Sequence, residues 1–187
     1  MRRLLPLLLL AFSLQANCAE LAGVKLDDTV TVAGKPLQLN GMAVRSRFVF
    51  DVYVAGLYLP EKTQSAEKAL AMPGPRRMTL VMLRDVGADQ FAGAVMDGLR
   101  DNNSEAELGA LRAQVNALLA TMLRIGEAKK GMVIDLDFTP GTGTSVRANG
   151  APQGEPIAGD GFYPALLKTW LGERPVQPDL KKALLGG

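Results

Sequence analysis

The sequence predicts an α+β domain, and three observations carry that reading. Apolar and polar residues alternate with the two-residue period of half-buried strands along Val24–Leu59, Arg77–Val86 and Met132–Phe138. The longer runs of helical spacing lie in the middle of the chain, from Asp89 to Met122, and at its end, from Phe162. Turn clusters of glycine, proline and asparagine separate the strand runs, so the strands form a mostly antiparallel set with helices in the middle and at the end of the chain.

The elements follow in order. Two short extended runs flank the turn cluster Ala33-Gly34-Lys35-Pro36 within Val24–Leu39, which predicts a hairpin. From Met42 to Leu59, Val44, Phe48, Phe50, Val52, Val54 and Tyr58 share one parity, read as the core face, and Arg45, Arg47, Asp51 and Tyr53 share the other. Eighteen residues exceed the usual strand length of about 5 to 6, so this stretch is expected to bulge or reverse near Ser46, or to divide in two. Thr63–Met72 reads as a short helix closed by Pro73-Gly74-Pro75. Arg77–Val86 is a strand. Asp89 is placed as the cap of a helix to about Leu99, with Phe91, Val95 and Leu99 on one side, and Asp101-Asn102-Asn103 as its break.

Ser104 and Glu107 have the spacing of a capping box, and Leu108, Leu111, Val115, Leu118, Leu119 and Met122 continue it as one helix. In Met132–Phe138, Met132, Ile134, Leu136 and Phe138 face the core, and Asp135 and Asp137 are placed on a solvated outer face. Pro140-Gly141-Thr142-Gly143 and Asn149-Gly150 turn the chain. A helix begins near Phe162 with Pro164 in its first turn and stops at Gly172; a short one follows from Asp179. The methionines at 72, 78, 82, 96, 122 and 132 are read as core filler.

The N-terminus has the three parts of a secretory signal: Arg2 and Arg3, an apolar run from Leu4 to Leu14, and small residues ending at Ala19. The expected organisation is a signal peptide over 1–19, cleaved near Ala19, and one domain over 20–187, periplasmic or secreted. The apolar run is shorter than the roughly 20 residues a membrane span needs, so no stable span is expected after cleavage. Lipid attachment at Cys18 is a minor alternative, because Gln15 and Asn17 stand where a lipoprotein signal has small or apolar residues. Without Arg2 and Arg3 the 21 basic residues fall to 19, equal to the 19 acidic ones, which gives no basic surplus for nucleic acid or anionic lipid. Cys18 is the single cysteine, so the domain has no disulfide.

The chain contains no histidine, which removes Ser-His-Asp and Cys-His chemistry and the usual zinc sites. No metal is expected at Asp135 and Asp137. Gly141-Thr142-Gly143-Thr144 lacks the Gly-Lys-Ser/Thr ending and following helix of a phosphate loop, so a hairpin turn accounts for it. Polar groups set beside apolar stretches remain: Arg45, Arg47, Tyr53, Tyr58 and Thr169. Arg45 leads them, because a guanidinium offers planar, permanently charged donors to a carboxylate or phenolate.

Gly41-Met42-Ala43-Val44-Arg45, followed by Val52-Tyr53-Val54-Ala55-Gly56-Leu57-Tyr58, resembles a signature of the chalcone isomerase-like family. That family includes plant fatty-acid-binding relatives and exported bacterial proteins. Leu167-Lys168-Thr169-Trp170-Leu171-Gly172-Glu173-Arg174-Pro175 and the residues on to Lys182 resemble its second signature, at the other end of the domain. The resemblance implies an open-faced β-sandwich, a large curved antiparallel sheet with a layer of helices, and a ligand cleft between them. It equates Arg45 with the arginine that receives the ligand's anionic oxygen, Thr169 with a threonine near substrate in the true isomerases, and Tyr53 with a tyrosine of the fatty-acid-binding branch. It sets Phe91 and Gly98 where the enzymes carry a catalytic tyrosine and an asparagine.

Neither Phe91 nor Gly98 supplies a side-chain donor for a ketone oxygen. The expectation is therefore a non-catalytic protein without a cofactor, binding a small anionic amphiphile such as a fatty acid through Arg45, Tyr53, Thr169 and Phe91. The alternatives are a residual isomerase using Arg45, Tyr53 and Thr169, and an interaction module without a small ligand. One geometric condition attaches to the first reading. On a straight strand Arg45 and Tyr53 would stand about 26 Å apart, so the chain must turn between them.

Overall fold

The alternating segments assemble into one antiparallel sheet, and the helices gather on one of its faces. The computed structural model describes residues 18–187. Its strands are β1 (Cys18–Leu21), β2 (Val24–Asp27), β3 (Thr29–Val32), β4 (Lys35–Arg47), β5 (Phe50–Leu59), β6 (Arg76–Met82), β7 (Val133–Thr139), β8 (Gly143–Ala148) and β9 (Ala151–Pro152). Its helices are α1 (Ala66–Ala71), α2 (Ala88–Asn102), α3 (Glu105–Ala110), α4 (Arg112–Ile125), α5 (Phe162–Leu171) and α6 (Pro178–Leu184). β3 to β9 form a seven-stranded sheet in sequence order, every neighbouring pair antiparallel, and β1 and β2 form a separate two-stranded ribbon. The α+β class and the open-faced sandwich are both found.

Strand periodicity divides the sheet into two faces. Tyr53, Ala55, Leu57 and Leu59 of β5, Met78, Leu80 and Met82 of β6, and Ile134, Leu136 and Phe138 of β7 join one core with Leu99, Leu118, Phe162 and Trp170 from the helices. Val54 and Tyr58 point the other way, into a smaller cluster with Leu26, Val32, Leu37 and Leu39. The ribbon lies over this outer face: Leu26 packs so closely on Gly56 that a Cβ there would stand 2.4 Å from its Cδ1. Tyr58 donates its hydroxyl proton to the Asp27 carbonyl at 2.9 Å.

Several expectations need correction. The residue parity assigned Phe48 and Phe50 to the core, but the chain reverses at Phe48 and Val49, and both phenylalanines are exposed. The reversal ends the pattern, because parity does not carry across a turn. Asp135 and Asp137 are not solvated. They are buried in cross-strand rows, Tyr58–Arg77–Asp137–Ser145 and Gly56–Thr79–Asp135–Arg147, and Arg77 pairs with both carboxylates. β1 precedes the first strand expected from the sequence.

The helices also shift. α2 runs through Asp101 and Asn102, and its cap is Gly87, with Asp89 in the first turn. The expected helix from Ser104 keeps its capping box but bends at Leu111, whose φ of −101° and ψ of 13° separate α3 from α4. The bend matters for packing: α3 buries no residue, whereas α4 buries Val115, Leu118, Thr121 and Met122. Bonds from Ser104 and the charge of Lys168 hold the Glu107 carboxyl down to about 2. Strand β6 stops at Met82, and Val86 pairs only with Ala128.

Of the N-terminal segment read as a signal, residues 1–17 lie outside those described. Cys18 and Ala19 pair with Asp27 and Leu26, so cleavage after Ala19 would leave β1 with Glu20 and Leu21.

Candidate functional site

The β4–β5 hairpin meets the geometric condition set by the sequence. Its register makes Arg45 the direct cross-strand partner of Tyr53, and on the next rung Ser46 pairs with Asp51, leaving Val52 as the extra residue of a bulge. Directly opposed residues of an antiparallel pair share a face, with Cβ atoms about 5 Å apart. Arg45 and Tyr53 therefore stand together on the helix-bearing side.

α5 comes to meet them from above the sheet. Its Trp170 Nε1 donates to the Tyr53 hydroxyl oxygen at 3.0 Å. That bond occupies an acceptor site on Tyr53 and leaves its own proton without an acceptor among the described residues. Burial keeps that proton in place by pushing the Tyr53 pKa up, against the opposing effects of Trp170 and Arg45. Thr169, one position earlier on α5, is buried at 2 % exposure, and its Oγ1 has no hydrogen-bond partner among the described residues.

Gly98 explains how Thr169 comes so close to α2. A Cβ at Gly98 would stand 2.4 Å from the Thr169 Cγ2, so the absent side chain is what lets α5 pack against α2 at this level.

Arg45 has no carboxylate partner among the described residues. Its Nη1 donates to the Ser46 carbonyl and, at 3.4 Å, to the Gln177 Oε1. The same Gln177 oxygen accepts from the Ser46 amide at 3.0 Å, which ties the segment before α6 to the end of β4. Gly41 completes this tie, because a Cβ there would stand 2.1 Å from the Ala183 carbonyl oxygen of α6. The two resembling segments, far apart in sequence, thus pack against each other.

Together these elements enclose a cleft of about 460 Å³, within the roughly 300–1,000 Å³ of small-molecule sites. Arg45, Tyr53, Phe91 and Thr169 all line it, so the structure brings the four expected residues together. Arg47 and Val52 extend the hairpin wall, Val95 and Gly98 the α2 wall, and Arg174, Pro175 and Val176 the wall after α5. Asp89, Asp97 and Asp101 of α2 also line it. Behind Phe91, Val95 and Trp170 lies an apolar slot of only about 20 Å³, bounded also by Leu118, Met122, Ile125 and Leu136.

A model of the chalcone isomerase-like family matches residues 18–186. The chain belongs to the chalcone isomerase-like family. Among solved structures, this chalcone isomerase-like chain is similar to a fatty-acid binding protein of Arabidopsis thaliana, with a TM-score of 0.69 and 14% identity. The similarity covers 90% of this chain and 96% of that one. At that identity the likeness speaks for a shared fold. No curated protein matches the sequence.

Trp170 and Gln177 are the site residues that sequence reasoning missed. Both stood inside the second resembling segment, but only the fold shows that Trp170 engages Tyr53 and Gln177 engages Arg45.

Proposed function

We propose that this chalcone isomerase-like protein binds a small anionic amphiphile, such as a medium-chain fatty acid, in the cleft between hairpin and helices. One observation carries the proposal: Arg45, Tyr53 and Thr169 converge on a single cleft, each with hydrogen-bonding capacity that the protein does not use. A carboxylate held between the guanidinium and the tyrosine hydroxyl receives charge-assisted bonds. Phe91, Val95 and Val52 offer the tail an apolar wall. The fold likeness to a fatty-acid binding protein supports this reading.

The open cleft speaks against a ligand-free module, which would need no such space. Isomerase chemistry requires donors on a ketone oxygen, and Phe91 and Gly98 supply none from the α2 wall. Export to the periplasm belongs to the same proposal and rests on the N-terminal sequence alone.

Titration calorimetry with dodecanoate and with dodecanol tests the proposal. Dodecanoate is expected to bind with a clear preference over the uncharged alcohol; equal affinity, or no heat from either, would overturn it. The apolar slot adds a second expectation. Phe91→Ala joins the slot to the cleft, so each further methylene that enters contributes about 0.8 kcal/mol, or about fourfold in affinity. The variant should shift preference toward hexadecanoate over octanoate relative to wild type. An unchanged chain-length profile would place the tail elsewhere.

A further inference from the structure

The turn between β4 and β5 presents three consecutive apolar residues to solvent: Phe48 is 90% exposed, Val49 87% and Phe50 54%. Such a run at an exposed position works against solubility unless it serves contact. Phe48 also has a φ of 55°, a left-handed conformation that a bulky side chain rarely adopts and that turns its ring outward. Arg47 stacks over Phe48 at 5.9 Å and Arg84 over Phe50 at 4.5 Å. Neither arginine has an acidic partner among the described residues, and Asp51, beside the turn, accepts a hydrogen bond from Ser46 instead.

We infer that this tip docks the protein on an anionic lipid surface, Phe48, Val49 and Phe50 entering the headgroup boundary while Arg47 and Arg84 meet lipid phosphates. Aromatic rings and guanidinium groups divide between these two layers of a membrane interface. The acids that line the cleft lie across it on α2, at Asp89, Asp97 and Asp101, while beside the tip Asp51 is held by Ser46 and Asp85 faces Lys129. That asymmetry sets the orientation, hairpin toward the membrane and α2 away from it. A second copy of the chain is a poorer occupant: three side chains fall short of the roughly 800 Å² per partner that a stable protein interface buries. No helix among the described residues is long and apolar enough to cross a membrane, and docking through the tip needs none. Because Arg47 also lines the cleft, the docked tip sets the cleft mouth beside the bilayer, where an amphiphile can enter or leave. That last consequence rests on the ligand reading above; the docking does not.

Flotation with vesicles of phosphatidylcholine, with and without phosphatidylglycerol, tests the inference. Wild type should float with the anionic vesicles and release as salt rises. Phe48→Ser/Val49→Ser/Phe50→Ser should lose about tenfold or more of its partition. Arg47→Ala and Arg84→Ala should each lose about fivefold, the equivalent of about 1 kcal/mol. The variants carry the same N-terminal segment as wild type, so the difference reads the hairpin alone, and these exposed changes should leave the melting temperature unchanged. Arg45→Ala should keep vesicle binding, which separates failure of the docking from failure of the ligand reading. Equal flotation of wild type and the triple variant would overturn the inference, as would a wild type that stays out of the vesicles while self-associating through the tip in sedimentation velocity.

Discussion

Arg45→Ala is expected to lower dodecanoate affinity by about tenfold to a hundredfold while leaving dodecanol binding unchanged. Hydrogen bonds to a charged group contribute about 1.5–3 kcal/mol, and each 1.4 kcal/mol is about a factor of ten. The effect should reach the upper part of that range because Arg45 has no carboxylate partner among the described residues to compete with the ligand. Arg45→Lys should fall between the two, since it keeps the charge and loses the planar fork. Arg45 also bonds to the Ser46 carbonyl and to Gln177, so the melting temperature of each variant must be read beside its affinity. Tyr53→Phe is the companion measurement. It removes the donor and leaves the ring against α5, and should cost less than Arg45→Ala because the tyrosine hydroxyl is neutral. An alanine variant that binds dodecanoate like wild type would remove Arg45 as the anchor.

The site was legible where its signal was local, and hidden where it depended on pairing. Arg45 and Tyr53 stood out as polar groups amid apolar runs, and the excess length of their stretch called for a bulge or reversal near Ser46. Both occur there: the register slips after Arg45, and the chain turns two residues later. The position of the turn was not readable, because Phe48 and Val49 carry no glycine, proline or asparagine to mark it. Phe48 takes a left-handed conformation without any residue type that favours one. Continuing the alternation through that point sent Phe48 and Phe50 into the core. Trp170 and Gln177 were hidden for another reason, since their bonds to Tyr53 and Arg45 span 117 and 132 residues of sequence.

The helix ends show the same division. The capping box at Ser104 and Glu107 was local and is present, as is the stop at Gly172. The bend at Leu111 was not visible, because the apolar spacing of one helix continues across it.

Asp135 and Asp137 yield the second large effect, on stability. Strand periodicity assigned both to an outer face but could not show that β6 sets Arg77 opposite Asp137 and Thr79 opposite Asp135. Arg77 Nη2 donates to Asp137 at 2.7 Å, its Nε makes a second bond to the same carboxylate, and its Nη1 lies 3.7 Å from Asp135. Burial weighs against the Arg77 charge, but the bond to Asp137 and the charges of both aspartates hold its pKa above the usual arginine value. For Asp135 the balance goes the other way: burial raises its pKa despite the Thr79 bond and the Arg77 charge.

Arg77→Met keeps the bulk and removes the counter-charge, leaving two buried carboxylates. Breaking such a group costs about 3–5 kcal/mol, and with about 2–4 °C per kcal/mol for a domain of this size the melting temperature should fall by about 10 °C. The pH dependence has a definite sign. An acid whose folded pKa is raised stabilises the fold below its unfolded pKa, and that contribution is lost as pH rises through the folded pKa. Without Arg77 the Asp135 carboxyl loses a charge that lowers its pKa and is raised further, so the deficit of the variant should be full at neutral pH and narrow as pH falls toward about 4. Asp135→Asn in the Arg77→Met background should recover part of the loss at neutral pH, because it removes one buried charge and retains an oxygen to accept from Thr79. A deficit that is the same at neutral and acidic pH would mean that Arg77 acts by packing over the sheet, with its charge contributing little to the fold.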